Sequence, residues 1–235
     1  MDNKLINSLI GKLKDNFKEK LSSIIIYGSC AVENCNEKLS DINLIVIIDK
    51  LCASDLQKAH PSLKDWMKTK NPLPLFIDKE EWFDSTDVYP IEYSDIKDRY
   101  KILYGENLVE PLIIDSRNLR LQCEHEVKNL LIRLRQTYLA KSSDKKVIEN
   151  LIKTSSKTFL ALFRAVLRLS NESVPFKHSD VINLLAQKIE FDSDIFRKLL
   201  SFRTDPKVFK KDEFEIVIQK LIDSTNYILK YVDKI

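Results

Sequence analysis

The sequence predicts an α+β fold in which a small mixed α/β domain, residues 1–112, precedes a helical bundle domain, residues 113–235. The apolar runs 24–27 and 44–48, which indicate buried strands, both lie before Pro111. From Asp115 onward the chain has no glycine, and its apolar residues recur with the helical period of about 3.6 residues. A chain of 235 residues is long enough to give both domains a hydrophobic core.

The first domain is predicted to combine helices with short strands. The predicted elements are a helix over 5–21, strands over 22–27 and 42–48, a helix over 54–70 that Ser54 caps, and strands over 75–77, 88–96 and 100–104. Pro90 lies within the run 88–96. Because proline cannot donate a backbone hydrogen bond, this run is predicted to be an edge strand or to begin there.

The second domain is predicted to contain helices only. The predicted helices cover 116–140 and 145–169, follow Ser179 and Ser193, and finally follow Asp205-Pro206. Serine and aspartate are favoured as N-caps, and proline is favoured at the first helical position. The helical spacing of Phe159 and Phe163 predicts that both belong to the core of the bundle.

Composition excludes several classes of protein. The chain is 44% hydrophobic and 31% charged, which is typical of globular domains. No apolar run approaches the length of about 20 residues that spans a bilayer, so no membrane partner is expected. The first residues lack a signal-peptide pattern, so we expect a cytoplasmic location. The four cysteines lack metal-site spacing and are expected to be free thiols.

The most informative pattern joins a Gly-Ser turn to the polar start of a strand. Gly28-Ser29 follows the predicted strand 22–27, and Asp41-Ile42-Asn43 opens the strand 42–48. Because side chains alternate along a strand, Asp41 and Asn43 should point the same way, about 7 Å apart. Glycine lets a backbone approach a phosphate, and serine adds an N–H and a hydroxyl group. Side-chain oxygens at positions 41 and 43 suit Mg²⁺, so the pattern favours a site for a metal-bound nucleotide.

These residues resemble the DNA polymerase beta-type nucleotidyltransferase superfamily, through Tyr27-Gly28-Ser29 and Asp41-Ile42-Asn43-Leu44. The chain is most similar to small bacterial enzymes of the kanamycin and streptomycin adenylyltransferase kind. Those enzymes pair a minimal nucleotidyltransferase domain with a helical C-terminal domain. The resemblance is sharp over 22–48, moderate over 87–106, and architectural elsewhere.

The resemblance implies nucleotidyl transfer. A nucleoside triphosphate, expected to be ATP, binds with Mg²⁺, and a hydroxyl group of a small-molecule acceptor attacks the α-phosphorus. Pyrophosphate leaves, and AMP is the expected transferred group. The family holds two metal ions with three carboxylates. Asp41 matches the first carboxylate, Asn43 stands at the second position, and Glu92 is the candidate for the third, which the family places on a later strand.

Asn43 departs from the family pattern. Its amide oxygen can bind Mg²⁺ but brings no negative charge. Asp49 cannot replace it, because it lies about 25 Å further along an extended strand. Three interpretations stay open: an active enzyme with a compensating acid, a slow enzyme, and a catalytically impaired protein that binds a nucleotide or docks a partner.

The resemblance also implies a carboxylate base on the helical domain. Glu124 and Glu126 are the candidates, and a solvated helix face is the alternative role for both. A base must come within about 3 Å of the acceptor proton. A homodimer is a further expectation, because the resembling enzymes often share a cleft. A template-independent nucleic-acid enzyme is disfavoured, because 38 basic and 35 acidic residues leave a net charge of only +3.

Overall fold

The computed structural model describes residues 3–31, 41–202 and 204–235, and the chain divides into two compact units, Met1–Asp115 and Ser116–Ile235. The first unit contains both helices and strands. In chain order they are α1 (Asn3–Phe17), β1 (Leu21–Tyr27), β2 (Asn43–Ile48), α2 (Ala53–Ala59), β3 (Leu75–Asp78), α3 (Lys79–Asp84), α4 (Pro90–Asp98) and β4 (Tyr100–Gly105). The predicted α+β class is confirmed.

The strands of the first unit form one mixed sheet with the order β3-β2-β1-β4. Strand β1 is antiparallel to β2 and to β4, whereas β3 runs parallel to β2. In the β1–β2 pair, Tyr27 lies opposite Asn43. The end of β1 that leads into Gly28 therefore meets the start of β2, as a nucleotide site at this place requires.

Both faces of the sheet are buried, each beneath its own helices. Leu9 and Leu13 of α1 cover the face that carries Ile24 and Val46. The opposite face carries Ile25, Ile45 and Ile47, which pack with Trp82 of α3 and Tyr93 of α4. Tyr27 packs against this second cluster. Because Asn43 lies opposite Tyr27 in an antiparallel pair, its side chain is on the same face.

The prediction of a strand over 88–96 is wrong, because most of this segment belongs to helix α4. Its buried residues are Pro90, Ile91, Tyr93, Ser94 and Ile96, a helical rather than an alternating pattern. Pro90 is at the first turn of the helix, where the missing N–H has no helical partner to lose. The helix predicted over 54–70 is shorter than expected, since α2 gives way to 3₁₀ turns at His60–Leu63 and Trp66–Lys68. Its N-cap is Cys52 rather than Ser54.

Every regular element described in the second unit is a helix, as predicted. The helices are α5 (Ser116–Lys141), α6 (Lys145–Leu169), α7 (His178–Ala186), α8 (Ser193–Phe202) and α9 (Phe214–Val232). The prediction that Ser179 and Ser193 precede their helices as N-caps is wrong, because both lie within the helices and Asp192 accepts the capping hydrogen bonds of α8. The prediction that a helix follows Asp205-Pro206 is wrong. Asp205 caps only the 3₁₀ turn Pro206–Val208, and the last helix begins at Phe214.

Aromatic residues form much of the core of the second unit. Phe159 and Phe163 of α6 are buried, as predicted. The ring of Phe196 meets them edge-on, with centroids 4.8 and 4.9 Å away. Such pairs add about 0.5–1.5 kcal/mol beyond their burial. Within the part of the chain that the structure describes, no helix has both the length and the hydrophobicity to cross a membrane.

Candidate active site

Gly28 makes a turn that other residues do not readily adopt. Its φ angle is +78°, which lies in the left-handed region that favours glycine. Its N–H donates to the carbonyl oxygen of Arg99, at 2.9 Å. This bond fixes the turn. Ser29 is exposed in the 3₁₀ turn Gly28–Ala31, and its role at a phosphate stays a prediction. The sequence also suggests that a helix begins near Cys30. The structure places Cys30 and Ala31 in this 3₁₀ turn, and the residues that follow lie outside those it describes.

Asp41 and Asn43 lie on either side of Ile42 in the sequence. Ile42 is buried, and its N–H donates to Oδ1 of Asn71 at 3.0 Å. Ile42 packs in the cluster beneath α1, whereas Asn43, the first residue of β2, lies on the opposite face with Tyr27. Asp41 is exposed and Asn43 is half-buried. Because Asp41 lies before the strand begins, the expectation that its side chain shares a face with Asn43 stays a prediction.

The amide group of Asn43 faces the glycine turn. Its Nδ2 atom lies 3.5 Å from the position that a Cβ atom on Gly28 would occupy. The same nitrogen donates a long hydrogen bond of 3.5 Å to the carbonyl oxygen of Asp41. Gly28, Asp41 and Asn43 are therefore gathered at one end of the sheet, with the Asn43 amide between the other two.

Glu92 reaches this end of the sheet from a helix. The prediction that it lies on a strand is wrong, because it is an exposed residue of α4. Burial raises the pKa of the Tyr27 hydroxyl, and the negative charge of Glu92 raises that pKa further. Since Tyr27 is the cross-strand partner of Asn43, Glu92 is on the same side of the sheet as Asn43. Its role as third carboxylate stays a prediction.

The described residues fit one magnesium ion better than two. Among them, no three His, Cys, Asp or Glu side chains group closely enough to hold a metal. The pair of ions that the resemblance implies needs three carboxylates, and the residues that the structure describes do not form this arrangement. A single Mg²⁺ needs only one or two carboxylates together with phosphate oxygens and water. Asp41, which is exposed beside the turn, suits that single ion.

Glu124 lies on α5 in the second unit. It forms an ion pair with Lys128 one turn along the same helix, and the hydrogen bond from Lys128 lowers the pKa of the Glu124 carboxyl. A carboxylate with a lowered pKa is a weaker proton acceptor. The Oε1 atom of Glu126 lies 3.5 Å from Nδ1 of His125. The role of either glutamate as a base stays a prediction.

The described cysteines differ in state. Cys52 and Cys123 are free thiols, as predicted. Cys30 is disulfide-bonded, so the prediction of a free thiol is wrong there.

Two residues that support the site were not identified from the sequence. Arg99 anchors Gly28 through its carbonyl oxygen, and Asn71 anchors Ile42 through its side chain. A backbone acceptor leaves no mark on residue type, and Asn71 belongs to a loop 29 positions from its partner. For these reasons, sequence patterns do not identify Arg99 or Asn71 as part of the site.

Neither a protein-family model nor a curated protein matches the chain. Among solved structures, the chain is similar to spectinomycin adenyltransferase AAD(9) from Enterococcus faecialis, determined with ATP and spectinomycin. The TM-score is 0.58 and the sequence identity is 16%, with 98% of each chain covered. At this identity, the likeness shows the fold. The chain therefore shares the fold of that structure, in which a mixed sheet with flanking helices is followed by a helical region.

Proposed function

We propose that this protein binds a nucleoside triphosphate where β1 meets β2, and that it transfers a nucleoside monophosphate, AMP, to a hydroxyl group of a small molecule. The observation that carries the proposal is the meeting of the Gly28 turn with Asp41 and Asn43. The similar structure was determined with ATP and spectinomycin, which supports ATP as donor and a small molecule as acceptor.

Each residue of the turn has a distinct task in this proposal. Gly28 lacks a side chain, so the phosphate chain can approach the backbone. The exposed Ser29 donates its N–H and hydroxyl group to phosphate oxygens. Asp41 supplies the negatively charged oxygen that holds a magnesium ion carried by the triphosphate. That ion would neutralise phosphate charge during transfer.

The reaction balances without an additional reactant. A bond forms between the acceptor oxygen and the α-phosphorus, while the bond from the α-phosphorus to the bridging oxygen breaks. Pyrophosphate leaves with the bonding electrons, and the acceptor proton passes to a base. The partners are an NTP and a small hydroxyl-bearing molecule, and a homodimer stays a prediction.

A second candidate function is nucleotide binding without transfer. The observation that favours it is Asn43, which places a neutral amide where the family has a carboxylate. If Asp41, the carboxylate beside the turn among the described residues, has no acidic partner at position 43, a second metal ion would be weakly held. The protein would then sense a nucleotide or present it to a partner.

Transfer can be tested by following pyrophosphate release from ATP and GTP with a panel of aminocyclitols, aminoglycosides and simple polyols. We expect pyrophosphate to be released only when an acceptor is present. Mass spectrometry should then detect an acceptor that carries one added nucleoside monophosphate group. Asp41→Ala should abolish it. Asp49→Ala is the matched control, because Asp49 is an exposed acid just beyond the other end of β2.

The two candidate functions give different results. Nucleotide binding without product for any acceptor would favour the binding protein. Product formation that is unaffected by Asp41→Ala would contradict the proposed site.

A further inference from the structure

We propose that Asn43 donates a hydrogen bond to a phosphate of the bound nucleotide instead of binding a metal ion. The inference rests on the proposed nucleotide site and assigns one residue in it a different role from its family position. As a consequence, nucleotide affinity should depend less on magnesium with asparagine at position 43 than it would with a carboxylate there.

The orientation of the amide carries this inference. Nδ2 of Asn43 lies 3.5 Å from the carbonyl oxygen of Asp41. Amide nitrogen and oxygen are assigned from the hydrogen bonds they make. With the group flipped, the Asn43 oxygen would face the Asp41 carbonyl oxygen, and two acceptors would repel each other. The hydrogen bond to Asp41 therefore favours nitrogen at this position.

The nitrogen also faces the turn. It lies 3.5 Å from the point where Gly28 would carry a Cβ atom, so the space that a side chain would fill is open to the amide. An amide nitrogen carries two hydrogens, and the Asp41 carbonyl accepts one. The other can serve an anion bound against Gly28, together with Ser29.

Charge supports the same assignment. Aspartate at position 43 would put a second carboxylate within a few ångströms of the phosphate chain, and only a cation could offset that repulsion. Asparagine removes that charge and adds a donor. Asp41 is exposed, so solvent screens its charge. The site thus suits an anion even when no metal ion is bound.

The test is calorimetric titration with α,β-methylene ATP, which cannot undergo transfer, in Mg²⁺ and in EDTA. Wild type should bind in both, with a loss of about tenfold in EDTA because the ion that Asp41 holds is removed. Asn43→Ala should bind about tenfold more weakly in EDTA, because a hydrogen bond to a charged group is lost. When Mg²⁺ is replaced by EDTA, the affinity of Asn43→Asp for the nucleotide should fall by a factor at least about ten times larger than the fall for wild type. Asn150→Asp, the same change on the exposed side of α6, should behave as wild type.

Each outcome has a separate meaning. Equal magnesium dependence in wild type and Asn43→Asp would overturn the donor role and leave the proposed function intact. No loss in Asn43→Ala would also overturn the donor role. No binding by wild type in either buffer would overturn the nucleotide site itself. Circular dichroism of each variant shows whether it is folded.

Discussion

Gly28 and Asn43 face each other across the end of the β1–β2 pair, with Nδ2 of Asn43 3.5 Å from the Cβ position of Gly28. The two residues are 15 positions apart in the sequence, and the antiparallel register brings them together. This contact explains why a small residue and a short polar residue suit these positions.

Gly28→Ala should destabilise the protein and weaken nucleotide binding. An L-residue at φ +78° costs about 1–2 kcal/mol, and the new methyl group would contact the Asn43 amide. Thermal unfolding and ATP titration measure the two effects. Gly11→Ala is the control, because Gly11 lies within α1 with no atom within 4 Å of its Cβ position. That change should stabilise the protein by about 0.5–1 kcal/mol, and a loss of stability there would contradict the account of α1.

Gly105→Ala should be more damaging than Gly28→Ala. A Cβ atom at Gly105 would lie 2.0 Å from the carbonyl oxygen of Ser22, and φ is +79°. The backbone of β4 would have to move away from β1, so we expect a cost of about 3 kcal/mol or more. Urea unfolding of both variants gives the comparison. A smaller loss at Gly105 than at Gly28 would contradict the pairing of β4 with β1.

Asp55→Asn should destabilise the protein in a pH-dependent manner. The buried Asp55 carboxylate accepts hydrogen bonds from Nζ of Lys20 at 2.5 Å and from the N–H of Cys52 at 3.2 Å. The bond from Lys20 is the largest cause that lowers the pKa of Asp55 to about 2. Losing the charge should cost about 1–3 kcal/mol at neutral pH.

The pH dependence of that loss follows from the sign of the shift. Because the folded pKa is below the unfolded value of about 3.9, the stabilisation is nearly complete above about pH 5 and is lost as the pH falls from there toward 2. Urea unfolding of wild type and Asp55→Asn at pH 7, 5 and 3 should show a difference that shrinks only at pH 3. An equal difference at all three values would contradict the assignment.

Cys52 and Cys123 should differ in their reactivity toward a thiol-labelling reagent. Cys52 is exposed and Cys123 is buried, and burial raises the pKa of the Cys123 thiol to about 12. Because the thiolate is the reactive form, iodoacetamide should modify Cys52 in the native protein and Cys123 only after unfolding. Peptide mass spectrometry distinguishes the sites. Rapid native labelling of Cys123 would contradict the burial of this residue on α5.

Sequence patterns predicted the strands β1 and β2 well, because each is a continuous apolar run bounded by a polar turn. The error at α4 arose because Pro90 suits the start of either a helix or a strand, and a run of nine residues is too short for periodicity to decide. Helix α3 has only six residues and left no periodic signal.

The candidate site was predictable only in part. Alternation predicted that Asp41 and Asn43 share a face, since that depends on local geometry alone. The direction of the Asn43 amide depends on the Asp41 carbonyl and on the Gly28 turn in the paired strand. The proximity of Glu92 to Tyr27 depends on how α4 packs on the sheet. Contacts of this kind arise from tertiary packing, which a sequence pattern does not contain.

The most direct test of the central claim is calorimetric titration of ATP and GTP into wild type, Asp41→Ala and Asp49→Ala, with Mg²⁺ and with EDTA. The account predicts that wild type binds a nucleotide and that Asp41→Ala weakens binding by about tenfold in Mg²⁺ but not in EDTA. Asp49→Ala should bind as wild type in both buffers. Identical binding by all three proteins in Mg²⁺, or no binding by wild type, would contradict a nucleotide site where β1 meets β2.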